Sequence, residues 1–389
     1  MRGDLKLILI CVVVCVCFIS TDGQGTKSSA KKSEVTKKPP NGAGNHNPKP
    51  TKSAAAKDKF AEFKKKHGKA YRSAQEEAEA RKAYEQNSKN DEKHNQQRNK
   101  TYRRGTNAYS DKSHDWKVKN RMGASKKASS PNNKNKAMKK KAGKSLSARM
   151  SDTETPEVPD SANWTDWNSP IRDQADCGAC WIYAPLAVLE YLMIVIRGDT
   201  EANLSEQEIL DCNIADGGCD GGWPTDGFDY IIENGLTTER SYPYVAYQSD
   251  CFAKRFGKVL IINNTYEEEV SGDEEYLKHL VYNYGPIVVV IYASDSFTQY
   301  AGGVFSESDC PNDMDSYNHA ITVVGYGTDP DGGDYWIIKN SWGLDWGEYG
   351  YGRIARNQEN MCGIANYAMM PSSSWISETN FNITKNKKN

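Results

Sequence analysis

The sequence predicts an α+β protein: a helical N-terminal unit, a lysine-rich connection, and a larger domain with a helical half followed by a strand-rich half. Three observations carry the prediction. Composition changes near residue 151, where Lys and Arg become rare and Trp, Tyr, Gly and Cys become frequent. Beyond that point apolar residues first fill helix-length windows and then, after residue 258, strand-length runs. Before it, residues 60–95 combine long charged side chains with sparse aromatic anchors, the texture of a helix that packs through few contacts. A cleft between two halves of different class is a natural substrate site.

The 389 residues suffice for two or three structural units. Residues 1–23 read as a signal peptide. Arg2 and Lys6 precede an apolar run at 7–19 too short to span a bilayer, and Thr21 and Gly23 supply small residues for cleavage after Gly23. Residues 24–56, rich in Lys, Ser, Pro and Asn, lack an apolar pattern and are expected to be disordered. Residues 57–111 form the helical unit, anchored by Phe60, Phe63, Tyr71 and Tyr84. Residues 112–154 read as a Lys-rich cleavable linker, with a polyanion-binding patch as the other reading. The main domain spans 155–371 and a tail spans 372–389.

Within the main domain, residues 185–197 read as a buried helix, apolar on most faces. A second helix runs through 204–212, with Ser205 as N-cap and Glu208 three residues on, a capping-box pattern. Residues 226–234 make a third. KVLIIN, PIVVVIY, HAITVVGYG, DYWIIKNSW and YGYGRIAR then read as strands.

A formal net charge of −1 hides a strong asymmetry. Residues 1–150 hold 37 Lys/Arg against 13 Asp/Glu, a net +24, and residues 151–389 hold 13 against 38, a net −25. Such halves are either two solvated segments or partners meant to associate. Secretion implies a compartment in which disulfides persist. Three of the ten cysteines leave with the signal peptide. The seven that remain are Cys177, Cys180, Cys212, Cys219, Cys251, Cys310 and Cys362, an odd number that leaves one thiol unpaired. Sequons at Asn99, Asn163, Asn203, Asn263 and Asn382 are glycosylation candidates.

The strongest chemical signal is QADCGACW at 174–181. Cys180 opens the apolar helix, and the partial positive charge of a helix N-terminus lowers a thiol's pKa. Gly178 permits close approach of a substrate backbone. A thiolate needs a proton partner, and the main domain offers two histidines. His279 lies in the acidic stretch EEYLKHL and reads as structural or solvated. His319 precedes an apolar strand, 139 residues after Cys180. Asn340 follows in IIKNSWGLDWGEYGYGRI.

Through QxxCGACW, SEQEILDC, CDGGWP, NHAITVVGYG and KNSWGxxWGExGYGRI, residues 155–371 resemble the papain-like cysteine peptidases. The resemblance implies a papain-like fold, a helical subdomain facing a β-barrel-like one across a cleft, preceded by a helical prodomain. It implies Cys180 as nucleophile, His319 as base and acid, Asn340 as the group orienting the imidazole, and Gln174 as oxyanion donor. Trp342 would shield the His–Asn bond, and Trp181, Gly221 and Gly222 would line the cleft with Gly178. Trp223, Pro224, Val290, Tyr317, Ala320 and Tyr367 align with the pocket for the second residue before the scissile bond, and imply an apolar preference there. Tyr367 makes that pocket shallow. The resemblance also selects the pairs Cys177–Cys219, Cys212–Cys251 and Cys310–Cys362, leaving Cys180 free.

The precursor part resembles the inhibitory prodomain of the cathepsin L branch. Gly105, Asn107, Tyr109 and Asp111 fit its G-x-N-x-F-x-D motif with Tyr for Phe. In its helical motif Glu76, Asn87 and Asn95 align, whereas Tyr84 replaces the aromatic, Ala80 the Arg and Asp91 the Ile. Other departures are Pro185 inside the catalytic helix, Ala175 for a usual Gly, and the acidic neighbours Asp173 and Asp176.

A cysteine endopeptidase made as a zymogen is therefore expected, in the secretory pathway with lysosome or extracellular space as destination. Its expected partners are peptide and protein substrates, its own prodomain as intramolecular inhibitor, and cystatin-like inhibitors. No metal, cofactor, nucleic acid or stable membrane insertion is expected. The competing readings are a catalytically inactive binding or matrix protein and a polyanion binder working through the lysines.

Overall fold

The computed structural model describes residues 58–125, 158–214, 216–262 and 265–371. The expected signal peptide, the 24–56 segment and the tail lie outside these, as do Asn263 and Asn382.

The N-terminal unit begins with α1 (Lys59–Lys66), capped by Asp58, whose carboxylate accepts from the Phe60 and Ala61 N–H groups at 3.1 and 3.3 Å. Helix α2 (Ala74–Asn95) is capped by Ser73, which accepts from Glu76 N at 3.1 Å. Such caps each contribute about 1 kcal/mol. Phe60, Phe63, Ala80 and Tyr84 form a small core joined by Tyr71. The buried positions of α2 are Ala80, Tyr84, Asn87, Asp91 and His94, spaced alternately four and three apart. That stripe turns polar towards its C-terminal end, and its polar members grip the returning chain. Asn87 donates to the carbonyls of Ser110 (2.8 Å) and Lys112 (3.0 Å), and the His94 ring meets the Tyr102 carbonyl at 3.1 Å. Asp91, standing where the motif has Ile, accepts from Arg104 at 2.9 Å. The Arg missing at position 80 has a neighbour, Arg81, paired with Asp58 at 2.9 Å.

Strand β1 (Tyr102–Arg104) follows, then α3 (His114–Arg121), capped by Ser113. The linker expected from residue 112 therefore starts later. Residues 112–125 are ordered because α3 buries Lys117 and Arg121 and the chain after it pairs with the main domain, where Ala124 bridges Gly222. Residues 126–154 lie outside the described residues.

In the main domain a short β2 (Ala162–Asn163) precedes α4 (Cys180–Arg197), which is buried on all faces up to Ile194 and ends at Gly198 with φ +65°. Pro185 does not break it. Helix α5 (Glu206–Cys212) has Ser205 as N-cap, accepting from Glu208 N at 3.0 Å. The expected capping box is only half formed. The Glu208 carboxylate turns away to Tyr230 and the Thr237 N–H, both at 3.0 Å, and to Lys258. Helix α6 (Pro224–Asn234) starts with its proline in the first turn, where a missing N–H costs nothing.

The strand-rich half contains β3 (Thr265–Glu269), α7 (Glu274–Tyr284), β4 (Ile287–Ile291), α8 (Asp295–Thr298), β5 (Tyr300–Phe305), β6 (His319–Asp329), β7 (Gly333–Lys339), β8 (Tyr351–Ala355) and β9 (Tyr367–Pro371). The described strands join in the order β1-β5-β8-β7-β6-β4-β9-β3, with β2 on β6. All pairs among them are antiparallel except β5 with β8. KVLIIN is not a strand; it contributes one bridge, Leu236 to Leu260. Strand β1 extends the edge of the main-domain sheet, with Tyr102 opposite Gly303. Only glycine fits at 303, since a Cβ would lie 2.4 Å from the Thr101 carbonyl.

The described residues carry disulfides Cys177–Cys219, Cys212–Cys251 and Cys310–Cys362, and Cys180 is the free cysteine among them. One apolar core surrounds α4 and takes in Val288, Val290 and Ala320 from the strands, and a second fills the strand-rich half.

Candidate active site

Cys180 is the first residue of α4, so its Sγ sits at the positive end of a long helix. His319 opens β6 and Asn340 follows β7, its hydrogen-bonded neighbour; adjacent strand ends bring the two side chains together. His319 Nε2 lies 2.8 Å from Asn340 Oδ1, which also accepts from Ser341 N at 2.8 Å. An oxygen accepting from a backbone N–H must take Nε2–H as donor too, which leaves Nδ1 as the basic nitrogen. Nδ1 has no hydrogen-bond partner. The Trp342 ring stacks on the imidazole, centroids 4.4 Å apart, and covers the His–Asn bond.

Gln174 is fully buried. Its amide nitrogen donates to the carbonyls of Cys177 (2.7 Å) and Arg121 (2.9 Å), and its oxygen accepts from the Ser341 hydroxyl at 2.6 Å. Ser341 therefore orients this amide, a role that the sequence reading missed although the residue lies inside the KNSW motif. Ala175 beside it has φ +52°, a left-handed conformation that explains why glycine suits the position.

The prosegment fills the cleft. Gly123 N donates to Cys180 Sγ at 3.3 Å, so the sulfur faces an amide N–H rather than a carbonyl carbon. Gly222 N donates to Gly123 O at 2.8 Å and Ser125 N to Gly222 O at 3.0 Å, a parallel bridge. At the crossing, a Cβ on Gly123 would lie 1.8 Å from Gly178 O, and one on Gly178 2.6 Å from Cys219 O. Gly178 thus serves packing against Cys219 as well as backbone approach. Gly221 is equally tight against Gly123, and Trp181 donates to Gly218 O at 3.1 Å.

Ala124 belongs to one apolar cluster with Trp223, Val290 and Ala320, the last two directly paired across β4 and β6. Tyr317 and Tyr367 pack on Trp223 at centroid distances of 5.0 and 5.4 Å. Pro224 is buried at the head of α6. Asn99, Asn163 and Asn203 are exposed.

Covering the site changes its electrostatics. Burial pushes the Cys180 thiol up to about 11, with the N–H groups of Ala320 and Gly123 opposing. Burial pushes His319 down to about 3, opposed by the Asn340 hydrogen bond, while the Arg121 charge pushes further down. Both shifts favour the uncharged forms of the covered pair. Among the described residues, main-domain carboxylates hold the prosegment: Asp345 pairs with Lys66 (3.6 Å) and His67 (3.1 Å), Asp295 with Arg104 (3.4 Å) and Lys117 (3.5 Å), and Asp173 with Arg121 (2.8 Å).

Residues 158–372 match the model of the papain family cysteine protease, and residues 60–115 that of the cathepsin propeptide inhibitor domain. The chain is similar to fruit bromelain of Ananas comosus, 43% identical over 217 residues, 55% of this chain and 60% of that relative. It is also similar to a cathepsin L-like peptidase of Aedes aegypti, 35% identical over 81% of this chain and 93% of that one. Among solved structures, digestive procathepsin L 3 of the Tenebrio molitor larval midgut superposes with a TM-score of 0.67 at 31% identity, covering 81% of this chain and 98% of that one.

Proposed function

This chain belongs to the papain family of cysteine proteases and is a cathepsin L-like precursor with its own propeptide inhibitor; from that premise we propose how its residues cut peptide bonds. Once the prosegment leaves, Cys180 passes its proton to His319 and the thiolate attacks the scissile carbonyl carbon. The oxyanion accepts hydrogen bonds from the Gln174 amide and the Cys180 N–H. The C–N bond breaks as His319 gives its proton to the departing amine. Water, deprotonated by the same ring, then hydrolyses the thioester, and the thiolate leaves from the acid product. Asn340 holds the imidazole and Trp342 keeps water from their bond.

The observation that carries this reading is the His319–Asn340 bond at 2.8 Å, which leaves Nδ1 basic in the same site as the free Cys180. Substrates carry a small apolar side chain in the second residue before the cut: Ala124, which follows Gly123 and bridges Gly222, shares one apolar cluster with Trp223, Val290 and Ala320, and the two tyrosines close the space around Trp223. Cystatin-like inhibitors would compete for the uncovered cleft. Disulfides require an oxidising compartment, and we place the protein in a lysosome or outside the cell.

The test is acid incubation of the full-length chain, followed by mass and peptidase assays. Wild type should lose the prosegment and gain activity, whereas Cys180→Ala should stay intact and inactive. Turnover by a protease-free Cys180→Ala sample would overturn the assignment.

A further inference from the structure

Arg121 is a deeply sequestered cation over the cleft. Its side chain is only 3% exposed, yet Nε and Nη1 have no hydrogen-bond partner. Nη2 donates to Asp173 at 2.8 Å. The guanidinium lies 3.3 Å from the centroid of Tyr109, its neighbour in the prosegment, and 5.6 Å from that of Trp342, on the enzyme. Asp176 adds a second negative charge acting on the same group. When the prosegment leaves, Arg121 and Tyr109 leave with it. The enzyme keeps an aromatic face and a carboxylate, with a second acid three residues along the chain, which is a receptor for a cation.

The side of the cleft follows from the reacting groups. His319 must deliver its proton to the departing amine, and its ring lies on Trp342. The leaving segment therefore crosses Trp342, where Arg121 now sits. The acyl segment lies on the other side, where Gly222 pairs with the prosegment backbone at Gly123 and Ser125. The carboxylate of Asp173 is fixed in place: its Oδ1 accepts from Ala175 N at 2.9 Å, and residue 173 bridges Trp342 through backbone pairing. A Cβ on Gly343 would meet its Oδ2 at 3.0 Å, so glycine there leaves room for the carboxylate.

We propose that Asp173, supported by Asp176 and the Trp342 ring, selects an Arg or Lys side chain in the first or second residue after the scissile bond, a site that Arg121 occupies in the precursor. This rests on the peptidase reading above and specifies its substrates. The competing explanation is that Arg121 only latches the prosegment and substrates ignore the site.

The test uses mature enzyme obtained by processing the full chain. Paired peptides differ only by Arg or its neutral isostere citrulline at the first or second leaving position. A third substrate carries a bare fluorophore amide as leaving group. Wild type should cleave one Arg peptide with kcat/KM about tenfold above its citrulline partner, the scale of one charge-assisted hydrogen bond. In Asp173→Asn that ratio should fall to within about twofold, and in wild type it should shrink with added salt. Using the ratio removes any general effect of the substitution on Gln174 next door. Equal cleavage of both partners by wild type, or a ratio that survives Asp173→Asn, overturns the proposal. Failure to cleave even the fluorophore amide would instead overturn the peptidase reading.

Discussion

Acid should loosen the prosegment through His319. The covered ring is fully buried, lacks a partner at Nδ1 and is held down to about 3, whereas an uncovered histidine titrates near 6.5. The covered state binds the neutral ring. Its stability is full above the uncovered value and is lost as pH falls towards the depressed one. From pH 7 to pH 5 this linkage amounts to about 2 kcal/mol, roughly 25-fold in the opening equilibrium. His67 and His94 are also pushed down, mainly by burial, so their protonation weakens the prodomain in the same direction. Cys180 acts with the opposite sign. Its thiol is raised when covered, so it favours the covered state at low pH and opening as pH rises. Cys180→Ala removes that term and prevents self-processing. Hydrogen exchange in residues 114–125 of the full-length Cys180→Ala chain, corrected for intrinsic rates, should lose about 2 kcal/mol of protection between pH 7 and pH 5. Adding His319→Gln should flatten most of the change. An equally steep loss in the double variant would refute the His319 argument and move the sensor to the prodomain histidines.

Three further outcomes follow from the contacts. Gln174→Ala should lower kcat by about 10²–10³-fold, the loss for one oxyanion donor, and a near wild-type kcat in steady-state assays would place it outside the site. Tyr367→Ala opens space beside Trp223 and should extend cleavage to bulky residues two before the cut; peptide-library profiling that gives identical patterns for both proteins would remove Tyr367 from the pocket. Asp295→Ala leaves the buried Lys117 ammonium with its Thr298 hydrogen bond and the charge of Asp91 but no ion-pair partner, and should weaken prosegment binding by about 3 kcal/mol, seen as faster processing of the full chain; an unchanged rate would make Asp295 incidental.

The parts of the site legible in the sequence are those whose chemistry is written locally. Cys180 is marked by a helix start, a neighbouring disulfide cysteine and an aromatic, and His319 and Asn340 by strands whose apolar runs are unmistakable. What was missed depends on partners far along the chain. Strand β5 reads YAGGVF, and its glycines tell nothing of strand until the Thr101 carbonyl is seen against Gly303. No strand is expected at β9 and one is expected at KVLIIN; pairing with β3 and β4 makes the first a strand, whereas the second contributes a single bridge. The Glu208 capping box failed for the same reason: Tyr230, Thr237 and Lys258 offered its carboxylate better partners than its own helix could.

Charge shows the same limit. The +24 and −25 halves are visible in composition, and they imply attraction without saying where it acts. The structure concentrates it. Lys66 and Asp345 are exposed at the surface, where a pair contributes little. Lys117 and Arg121 are 1% and 3% exposed, and each meets a main-domain carboxylate. No local pattern separates these two from the other basic residues of the precursor, since both look like linker cations. Ahead of both, the Asn107 side chain donates to the Thr298 carbonyl at 2.8 Å, and Lys117 donates to the hydroxyl of the same threonine at 3.1 Å, which ties α3 to the enzyme. The same placement brings Gly123 onto Cys180. Inhibition and charge pairing are thus one geometric event, anchored by a neutral asparagine rather than by the lysines that dominate the composition.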